Sequence, residues 1–163
     1  MNAALSVAAA IYCGCPLSNI KKRLKFIDLP ERRLAISNSL KGSLLIDDSY
    51  NSNPASLKNA VDSLEGLERK KVCILGDMKE LGSDSQKIHQ EMYEYISERV
   101  DQIFCIGDEW STCSPNAKKN LSIFENQDDL YSHLISIIDK KTILLVKGSR
   151  STRMDLLADK LKE

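Results

Sequence analysis

The sequence predicts an α/β protein with a doubly wound, mostly parallel sheet and helices on both faces. From about residue 42 onward, short apolar runs alternate with segments of helical period, the order expected when a helix follows each strand. The apolar runs are continuous rather than alternating, which is typical of strands covered on both faces. The length of 163 residues suffices for one well-packed domain with a short appendage, but not for two large domains.

Two helices are predicted before the sheet. An alanine-rich apolar helix should end near Gly14 and Pro16, and a second, short helix should begin with Ser18 as its N-cap. The first apolar run has no basic segment before it and is short, so we expect a buried helix rather than a signal peptide. No other stretch approaches the length of a membrane span, which predicts a soluble protein.

Strands and helices then follow in a regular order. The run near Leu34–Ile36 suits a hairpin with the next run or an entry strand. Core strands are predicted at Ser43–Ile46, Val72–Leu75, Ile103–Ile106, Leu121–Phe124 and Ile143–Val146. Helices are predicted at Ala55–Leu67, Ser85–Arg99, near Trp110, at Asp128–Ile138 and at Thr152–Leu161. Because parallel strands end at one edge of a sheet, the polar residues that follow them should gather in one crevice.

The most informative motif is the loop after the first core strand, residues 47–54 with the sequence DDSYNSNP. It places acidic, amide and phenolic groups between an apolar run and a helix that Pro54 should start, with Asn53 as a candidate N-cap. Open α/β sheets bind ligands at such loops, and the positive helix end favours an anion. Taken alone, the motif is also compatible with a solvated polar loop.

Residues 76–82, with the sequence GDMKELG, follow the second core strand. Gly76 would let a ligand approach the backbone, while Asp77 and Glu80 are placed to orient a cation or an amine. The alternative is a strand-to-helix loop that is charged because it faces water.

A third motif, residues 147–153 with the sequence KGSRSTR, follows the last strand. Its cations, hydroxyls and glycine suit a carboxylate or a phosphate, and Gly148 would permit close approach of that ligand. In the alternative explanation, Ser149 or Ser151 caps the last helix. The motif is not a phosphate-binding P-loop, because the G-x-x-x-x-G-K-[ST] spacing is absent from the chain.

Composition narrows the range of functions. Basic and acidic residues balance at 23 each, so no broad basic field favours nucleic acid. The five cysteines lie mostly in apolar segments, which is typical of reduced core thiols, and their spacing does not fit a zinc site. His89 and His133 are the only histidines, and no nucleophile motif accompanies them. A structural role is favoured for His89, with lining of the crevice as the alternative, and a surface or packing role is favoured for His133.

Taken in this order, the three motifs together with His89 resemble the C-terminal part of the Mur ligases, from about residue 2 to the end. The resemblance is to members that add D-alanyl-D-alanine to UDP-N-acetylmuramoyl-tripeptide during peptidoglycan precursor synthesis. It implies a cytoplasmic amide ligase that uses ATP and Mg²⁺ through an acyl phosphate. It also implies that residues 31–163 form a Rossmann-like C-terminal domain and that residues 1–30 are a helical remnant of the central ATPase domain.

The resemblance implies roles for individual residues. Asp48 would hold the ATP ribose, Arg33 would reach the nucleotide from the junction of two domains, and Asn2 would lie near the adenine. The residues implied to face the dipeptide or the reacting phosphate are Asn51, Asn53, Asp77, Lys147, Ser149 and Arg150. The family usually has glycine before the arginine of its Gly-Arg turn, where this sequence has Arg32, so the choice between Arg32 and Arg33 stays open. No metal ligand is expected in this chain.

The phosphate loop, the carbamylated lysine and the magnesium ligands of the central domain have no counterpart here, so this chain alone is not expected to catalyse ligation. ATP and Mg²⁺ would be bound mainly by the central domain, which, with the N-terminal domain, is an expected partner. Two alternatives stay open: another Mur or folylpolyglutamate-type ligase, and a binding module without catalysis. Competition between the dipeptide and single amino acids would distinguish another ligase of the superfamily. The coding DNA upstream of Met1 would distinguish the binding module, because a phosphate loop encoded there favours the enzyme.

Overall fold

The structure is a computed structural model that describes residues 2–26, 31–114 and 120–163, without the side chains of residues 2 and 3. The chain divides into two compact units, residues 1–30 and 31–163. In the first unit, α1 (Asn2–Tyr12) and α2 (Leu17–Leu24) contact each other. The predicted Ser18 cap is wrong: the extended residue Pro16 occupies the N-cap position, and no side chain caps the helix.

The second unit contains a six-stranded sheet in the order β1-β2-β6-β3-β4-β5. Its strands are β1 (Ala35–Asn38), β2 (Leu44–Asp48), β3 (Lys70–Gly76), β4 (Gln102–Ile106), β5 (Leu121–Phe124) and β6 (Thr142–Lys147). Strand β1 is antiparallel to β2, and all other neighbours are parallel. The predicted mostly parallel sheet is therefore confirmed.

Helices cover both faces of this sheet, as predicted. They are α3 (Pro54–Asp62), α4 (Ser85–Ser97), α5 (Asp108–Ser111), α6 (Gln127–Ile137) and α7 (Met154–Leu161). Helices α3, α4 and α5 share one core cluster with Cys73 and Leu75 of β3, whereas α6 and α7 share the other with Val72 and Ile74. Both sides of β3 are buried, which explains its continuous apolar sequence.

Helix α3 begins as predicted and ends earlier. The Asn53 side chain accepts the backbone N–H of Ser56, and the Ser56 hydroxyl accepts the N–H of Asn53, a reciprocal capping box with Pro54 in the first turn. The helix ends at Asp62 rather than at the predicted Leu67, because the next residues are held by hydrogen bonds between residues three apart. The cap fixes the start of α3 directly after the polar loop of β2.

A tight turn precedes the last helix. Helix α7 starts at Met154 rather than at the predicted Thr152, because Arg150–Thr152 form a 3-10 turn and Arg153 is left-handed, with a φ of 52°. No side chain caps α7, so the capping alternative for the serines of this loop is wrong. The loop after β6 therefore remains at the edge of the sheet for several residues.

Candidate functional site

The three polar loops lie side by side because they follow neighbouring strands. Strand β6 lies between β2 and β3, so the loops after Asp48, Lys147 and Gly76 leave the same edge of the sheet. The backbone N–H of Ser149 donates to the carbonyl of Asp77 at 3.1 Å and joins two of these loops. This is the carboxyl edge, where open α/β sheets bind ligands.

Asp48 and Lys147 form a buried ion pair at this edge. Their side chains are 12% and 2% exposed, and Lys147 Nζ contacts Asp48 Oδ2. Nζ also donates to the carbonyl of Asn51 at 2.9 Å, and Asp48 Oδ1 accepts the backbone N–H of Leu34 at 3.1 Å. A buried ammonium group requires such pairing and hydrogen bonding. Lys147 therefore holds Asp48 and its loop in place and presents no unpaired charge.

Arg32 and Arg33 precede β1 and have different surroundings. The Arg33 guanidinium lies over the ring of Tyr50, with Cζ 4.4 Å from the ring centroid. The Arg32 guanidinium is bound to α7 instead, where it donates to the Asp155 carbonyl at 3.1 Å and to Asp159 Oδ2 at 2.8 Å. Of the two arginines that the sequence left open, Arg33 is the one beside the loop of β2.

Arg33 lines a cleft of about 320 Å³, which we call the Arg33 cleft. Its other lining residues are Leu34, Asp48, Tyr50, Asn51, Asn53, Ser56, Asn59 and Lys147. Asp48 and Lys147 neutralise each other, and most of the remaining groups are amides and hydroxyls. Such groups fit the hydroxyls of a sugar, and Arg33 adds a donor for an anion. Asn2 was implied at the same ligand, but its side chain lies outside the described residues.

A second cleft of about 680 Å³ lies at the same edge, and we call it the Arg150 cleft. Its lining residues are Asn51, Ser52, Asn53, Lys79, Glu80, Leu81, Ser149, Arg150, Ser151 and Arg153. Three of these are cations and one is a carboxylate. The side chains of Arg150 and Arg153 are 63% and 59% exposed, whereas their partner Asp155 is 8% exposed. Positive groups therefore face the cleft while their carboxylate lies behind them, an arrangement suited to an anion.

Asp77 lies behind the Arg150 cleft and does not line it. Its side chain is 3% exposed, Oδ1 accepts the backbone N–H of Trp110 at 3.3 Å, and Oδ2 lies 2.8 Å from Lys79 Nζ. Gly107 packs so closely that a Cβ there would lie 2.2 Å from this carboxylate. The resemblance implied a substrate contact for Asp77. In the structure this carboxylate orients a cation of the protein itself.

Lys79 is the candidate residue that the sequence analysis missed. Its backbone N–H donates to Ser149 Oγ at 2.8 Å, and its Nζ is held by Asp77, so both ends of the residue are fixed. The hydrogen bond to Asp77 raises the pKa of Lys79 above its usual 10.5, and the side chain remains 45% exposed. The Asp-x-Lys spacing after a strand was the available signal, because residues two apart in an extended segment share a side.

The glycines of two motifs serve the packing of the protein. A Cβ at Gly148 would lie 2.5 Å from Thr152 Oγ1 and 2.6 Å from Met154 Cγ, and one at Gly76 would lie 2.5 Å and 2.8 Å from the same atoms. The turn before α7 occupies the space that a Cβ at either glycine would need. Packing therefore explains both glycines, and ligand approach at them stays a prediction.

His89 supports the loop of residues 76–82 from inside the core. It is fully buried, its Nε2 accepts the backbone N–H of Met78 at 3.1 Å, and its Nδ1 lies 2.8 Å from the carbonyl oxygen of Ser85. A backbone N–H can only donate, so Nε2 carries no proton and Nδ1–H donates to Ser85. The imidazole also packs edge-on against Trp110 at 4.7 Å. The structural role favoured for His89 is confirmed.

Among the described residues, no group of three or more His, Cys, Asp or Glu side chains is placed to hold a metal ion. No helix in the described ranges is long and apolar enough to cross a membrane.

Cys73, Cys105 and Cys113 are buried free thiols. Burial raises the pKa of Cys73 to about 12 and that of Cys113 to about 11, so both are protonated at neutral pH.

The family described as Mur ligase, glutamate ligase domain, matches residues 32–150, which is more than half of the chain. The chain therefore belongs to the Mur ligase family, through its C-terminal domain. This confirms the resemblance, and it agrees with the Rossmann-like, mostly parallel sheet.

Individual relatives agree with this assignment. The UDP-N-acetylmuramoyl-tripeptide--D-alanyl-D-alanine ligase of Haemophilus influenzae is 32% identical over an alignment of 169 positions. The alignment covers 99% of this chain and 36% of that protein. The crystal structure of MurF from Acinetobacter baumannii is 32% identical with a TM-score of 0.85, covering 98% of this chain and 36% of that one. MurF from Thermotoga maritima in complex with ADP has a TM-score of 0.74 at 23% identity, covers 82% of this chain and 31% of that one, and supports the fold alone. The chain thus spans about a third of the length of its relatives.

Proposed function

We propose that this chain is the C-terminal, substrate-binding portion of a cytoplasmic, ATP-dependent ligase that adds D-alanyl-D-alanine to UDP-N-acetylmuramoyl-tripeptide. Similarity over nearly the whole chain to ligases of that name supports this choice over another Mur or folylpolyglutamate-type ligase. We also propose that residues 31–163 are its C-terminal domain and that residues 1–30 belong to the preceding ATPase domain. The observation that carries the proposal is the meeting of the β2, β6 and β3 loops around two clefts of different charge.

The nucleotide is assigned to the Arg33 cleft. Asp48 uses one oxygen for Leu34 and the other for Lys147, and each carboxylate oxygen can accept a further hydrogen bond from a ribose hydroxyl. Arg33 forms no ion pair with a carboxylate of the described residues and can donate to a phosphate. Asn2 is proposed to lie near the adenine, as the resemblance implies.

The dipeptide is assigned to the Arg150 cleft. Its free carboxylate needs a cationic anchor, and Lys79, Arg150 and Arg153 supply one beside the polar groups of Asn51 and Asn53. Asp77, Lys147 and Ser149 act through other residues: Asp77 orients Lys79, Lys147 holds the β2 loop, and Ser149 accepts the Lys79 N–H.

The proposed reaction joins the dipeptide amine to the tripeptide acyl phosphate. The amine lone pair forms the new C–N bond, the amine loses a proton, and phosphate leaves with the electrons of the C–O bond. An anchored carboxylate positions the amine, and nearby cations stabilise the negative charge that develops on the oxygens. ATP supplies the phosphoryl group with Mg²⁺ neutralising its charge, and we propose that the preceding ATPase domain binds both in the main.

The test of this function uses the protein expressed with the coding sequence upstream of Met1. Multiple-turnover ADP release should require both UDP-N-acetylmuramoyl-tripeptide and D-alanyl-D-alanine, and single amino acids should compete weakly with the dipeptide. Preference for a single amino acid would favour another ligase of the superfamily. An upstream sequence without a phosphate loop, or no turnover with any acceptor, would favour the binding module.

Lys79→Met tests the carboxylate anchor in the same protein. We expect the KM for D-alanyl-D-alanine to rise about tenfold, which corresponds to about 1.4 kcal/mol, because a charge-assisted hydrogen bond is lost. The KM for D-alanyl-D-alaninamide, which has no carboxylate, should change less than about twofold. Lys87→Met is the control, since Lys87 is exposed on α4 and does not line the cleft. Equal effects on both substrates would remove Lys79 from the anchor.

A further inference from the structure

Asp47 and Asp48 end β2 and point to opposite faces of the sheet, because side chains alternate along a strand. Asp48 lines the Arg33 cleft, whereas Asp47 is buried on the other face. Its Oδ1 accepts the backbone N–H of Ser49 at 3.1 Å, and its Oδ2 lies 2.9 Å from Lys162 Nζ and 3.9 Å from the Arg32 guanidinium. Asp47 thus forms the buried centre of a charge cluster outside the cleft.

Arg32 is bound to this cluster and to helix α7. Its guanidinium donates to the Asp155 carbonyl and to Asp159 Oδ2, and its own carbonyl accepts the backbone N–H of Tyr50 at 3.1 Å. Only 23% of the side chain is exposed. The hydrogen bond to Asp159 raises the pKa of Arg32 above its usual value. The guanidinium is therefore engaged by the protein, and its charge is permanent.

Arg33, the next residue, is held from both sides while its own guanidinium stays accessible. On one side, the Arg32 carbonyl accepts a hydrogen bond from the backbone N–H of Tyr50. On the other side, the Leu34 N–H donates to Asp48 Oδ1 at 3.1 Å. The Arg33 guanidinium lies over the Tyr50 ring, and its five N–H donors face no ion-pair partner among the described residues.

The backbone on both sides of Arg33 is strained. Arg32 has a φ of 60° and Leu34 a φ of 53°, in the left-handed region that non-glycine residues adopt at a cost. Such residues persist where surrounding contacts hold them. Glycine would relax the backbone at Arg32, but it would have no side chain to bind α7. Relief of strain and loss of the side-chain contacts can therefore be separated by substitution.

We propose that Arg32 is a positioning residue: by binding α7 and the Asp47 cluster, its side chain clamps the segment before β1 and thereby holds the Arg33 guanidinium over the Arg33 cleft. The clamp itself follows from contacts within the second unit. Its effect on nucleotide binding rests on the proposed function.

Hydrogen exchange of backbone amides in the full chain tests the clamp. In R32A, the Leu34 and Tyr50 amides should exchange about tenfold faster or more, while the amides of β3 and β6 keep their protection. R32G should accelerate exchange to the same extent, because glycine relieves the strain without restoring the clamp. R32K should lie between these variants and the unmodified protein, because lysine keeps the charge but cannot reach both acceptors with a planar fork.

Nucleotide kinetics in the ligase assay supply the second readout. R32A and R32G should raise the KM for ATP about tenfold and leave kcat and the KM for D-alanyl-D-alanine within about twofold, a split that a general loss of structure would not produce. Arg99→Ala is the matched control. Arg99 also donates to a helix carbonyl, that of Tyr95 at 2.7 Å, and lies 3.9 Å from Asp62, but it does not line the Arg33 cleft.

The outcomes are distinguishable. Unchanged Leu34 exchange in R32G overturns the clamp, and accelerated exchange with an unchanged KM for ATP overturns the positioning of Arg33 for the nucleotide. If the unmodified protein shows no ligation, the proposed function fails, and hydrogen exchange still decides the clamp. Should R32A not fold, Asp159→Asn removes one acceptor while Arg32 remains, and the clamp then requires a smaller acceleration at Leu34.

Discussion

The two clefts at the carboxyl edge of the sheet differ in how their charges are balanced. In the Arg33 cleft, Asp48 and Lys147 neutralise each other inside the cleft and leave Arg33 as the accessible cation. In the Arg150 cleft, the cations lie at the surface, and their carboxylates Asp77 and Asp155 are buried behind them. The position of the carboxylate thus decides whether a cleft offers a neutral polar surface or a positive one.

The loops explain this difference. Asp48 ends β2 directly opposite Lys147 in the parallel ladder, so the two side chains meet on one face of the sheet. Asp77 comes one residue after β3 ends and is drawn under its loop by the Trp110 N–H and the close packing of Gly107. The carboxylate in the cleft is therefore the last residue of its strand, whereas the carboxylate behind the cleft is the first residue after its strand.

Lys147→Met should have the largest effect, because it breaks the balance inside the Arg33 cleft. Removal of one partner leaves Asp48 buried without its counter-charge, and we expect a loss of about 3–5 kcal/mol in the free energy of unfolding. Urea denaturation of the chain measures it. Lys79→Met should cost less than Lys147→Met, because the Lys79 side chain is 45% exposed and solvent screens its ion pair, while Asp77 keeps the hydrogen bond from the Trp110 N–H.

The double variant Asp48→Asn, Lys147→Met sharpens this test. If the cost arises from an uncompensated buried charge, removal of both charges should recover part of the stability lost in Lys147→Met. Additive losses would instead indicate that the two side chains act independently, against the neutral pair described here.

The sequence predicted the parallel strands, the order of strands and helices, and the three polar loops. These features follow from local patterns, namely apolar runs for strands and apolar residues at helical spacing for helices. The capping box of Asn53 is likewise local. The pairing of Asp48 with Lys147 was not predicted, since it depends on the last strand entering between β2 and β3, a contact across 99 residues. Local patterns do not specify which distant strands become neighbours.

The roles of Asp77 and Lys79 could not be assigned for a related reason. The sequence shows a charged loop, but the burial of Asp77 depends on the turn after β4, where Gly107 and the Trp110 N–H meet its carboxylate. With that carboxylate turned inward, Lys79 becomes the residue that reaches the cleft. The roles of Gly76 and Gly148 were ambiguous for a similar reason. A glycine indicates that other atoms approach the backbone closely, but the sequence does not show whether those atoms belong to a ligand or to the protein.

Gly148→Ala tests the packing of the loop after β6 against the turn before α7. The new methyl group would lie 2.5 Å from Thr152 Oγ1 and 2.6 Å from Met154 Cγ, so we expect a loss of about 1–3 kcal/mol in the free energy of unfolding. The displaced loop carries Arg150, and the KM for the dipeptide should rise in the ligase assay. Gly66→Ala is the control: it has a φ of +76° and no neighbour within 4 Å, so it should lose stability through backbone strain and leave that KM unchanged. Equal KM values in the two variants would contradict a link between this packing and the position of Arg150.

Asp159→Asn should have the smallest effect, and it tests the contact by which α7 binds Arg32. The hydrogen bond from Arg32 lowers the pKa of Asp159 below its usual 3.8. A group whose pKa is lower in the folded state stabilises the fold above its unfolded pKa, and this contribution disappears as the pH falls through the folded pKa. The side chain is 47% exposed, so the contribution should remain below about 1 kcal/mol. Urea denaturation should show the unmodified chain more stable than the variant at pH 6, with the difference shrinking as the pH falls below about 4. A difference that stays constant over this range would mean that the Asp159 charge contributes nothing to the binding of Arg32.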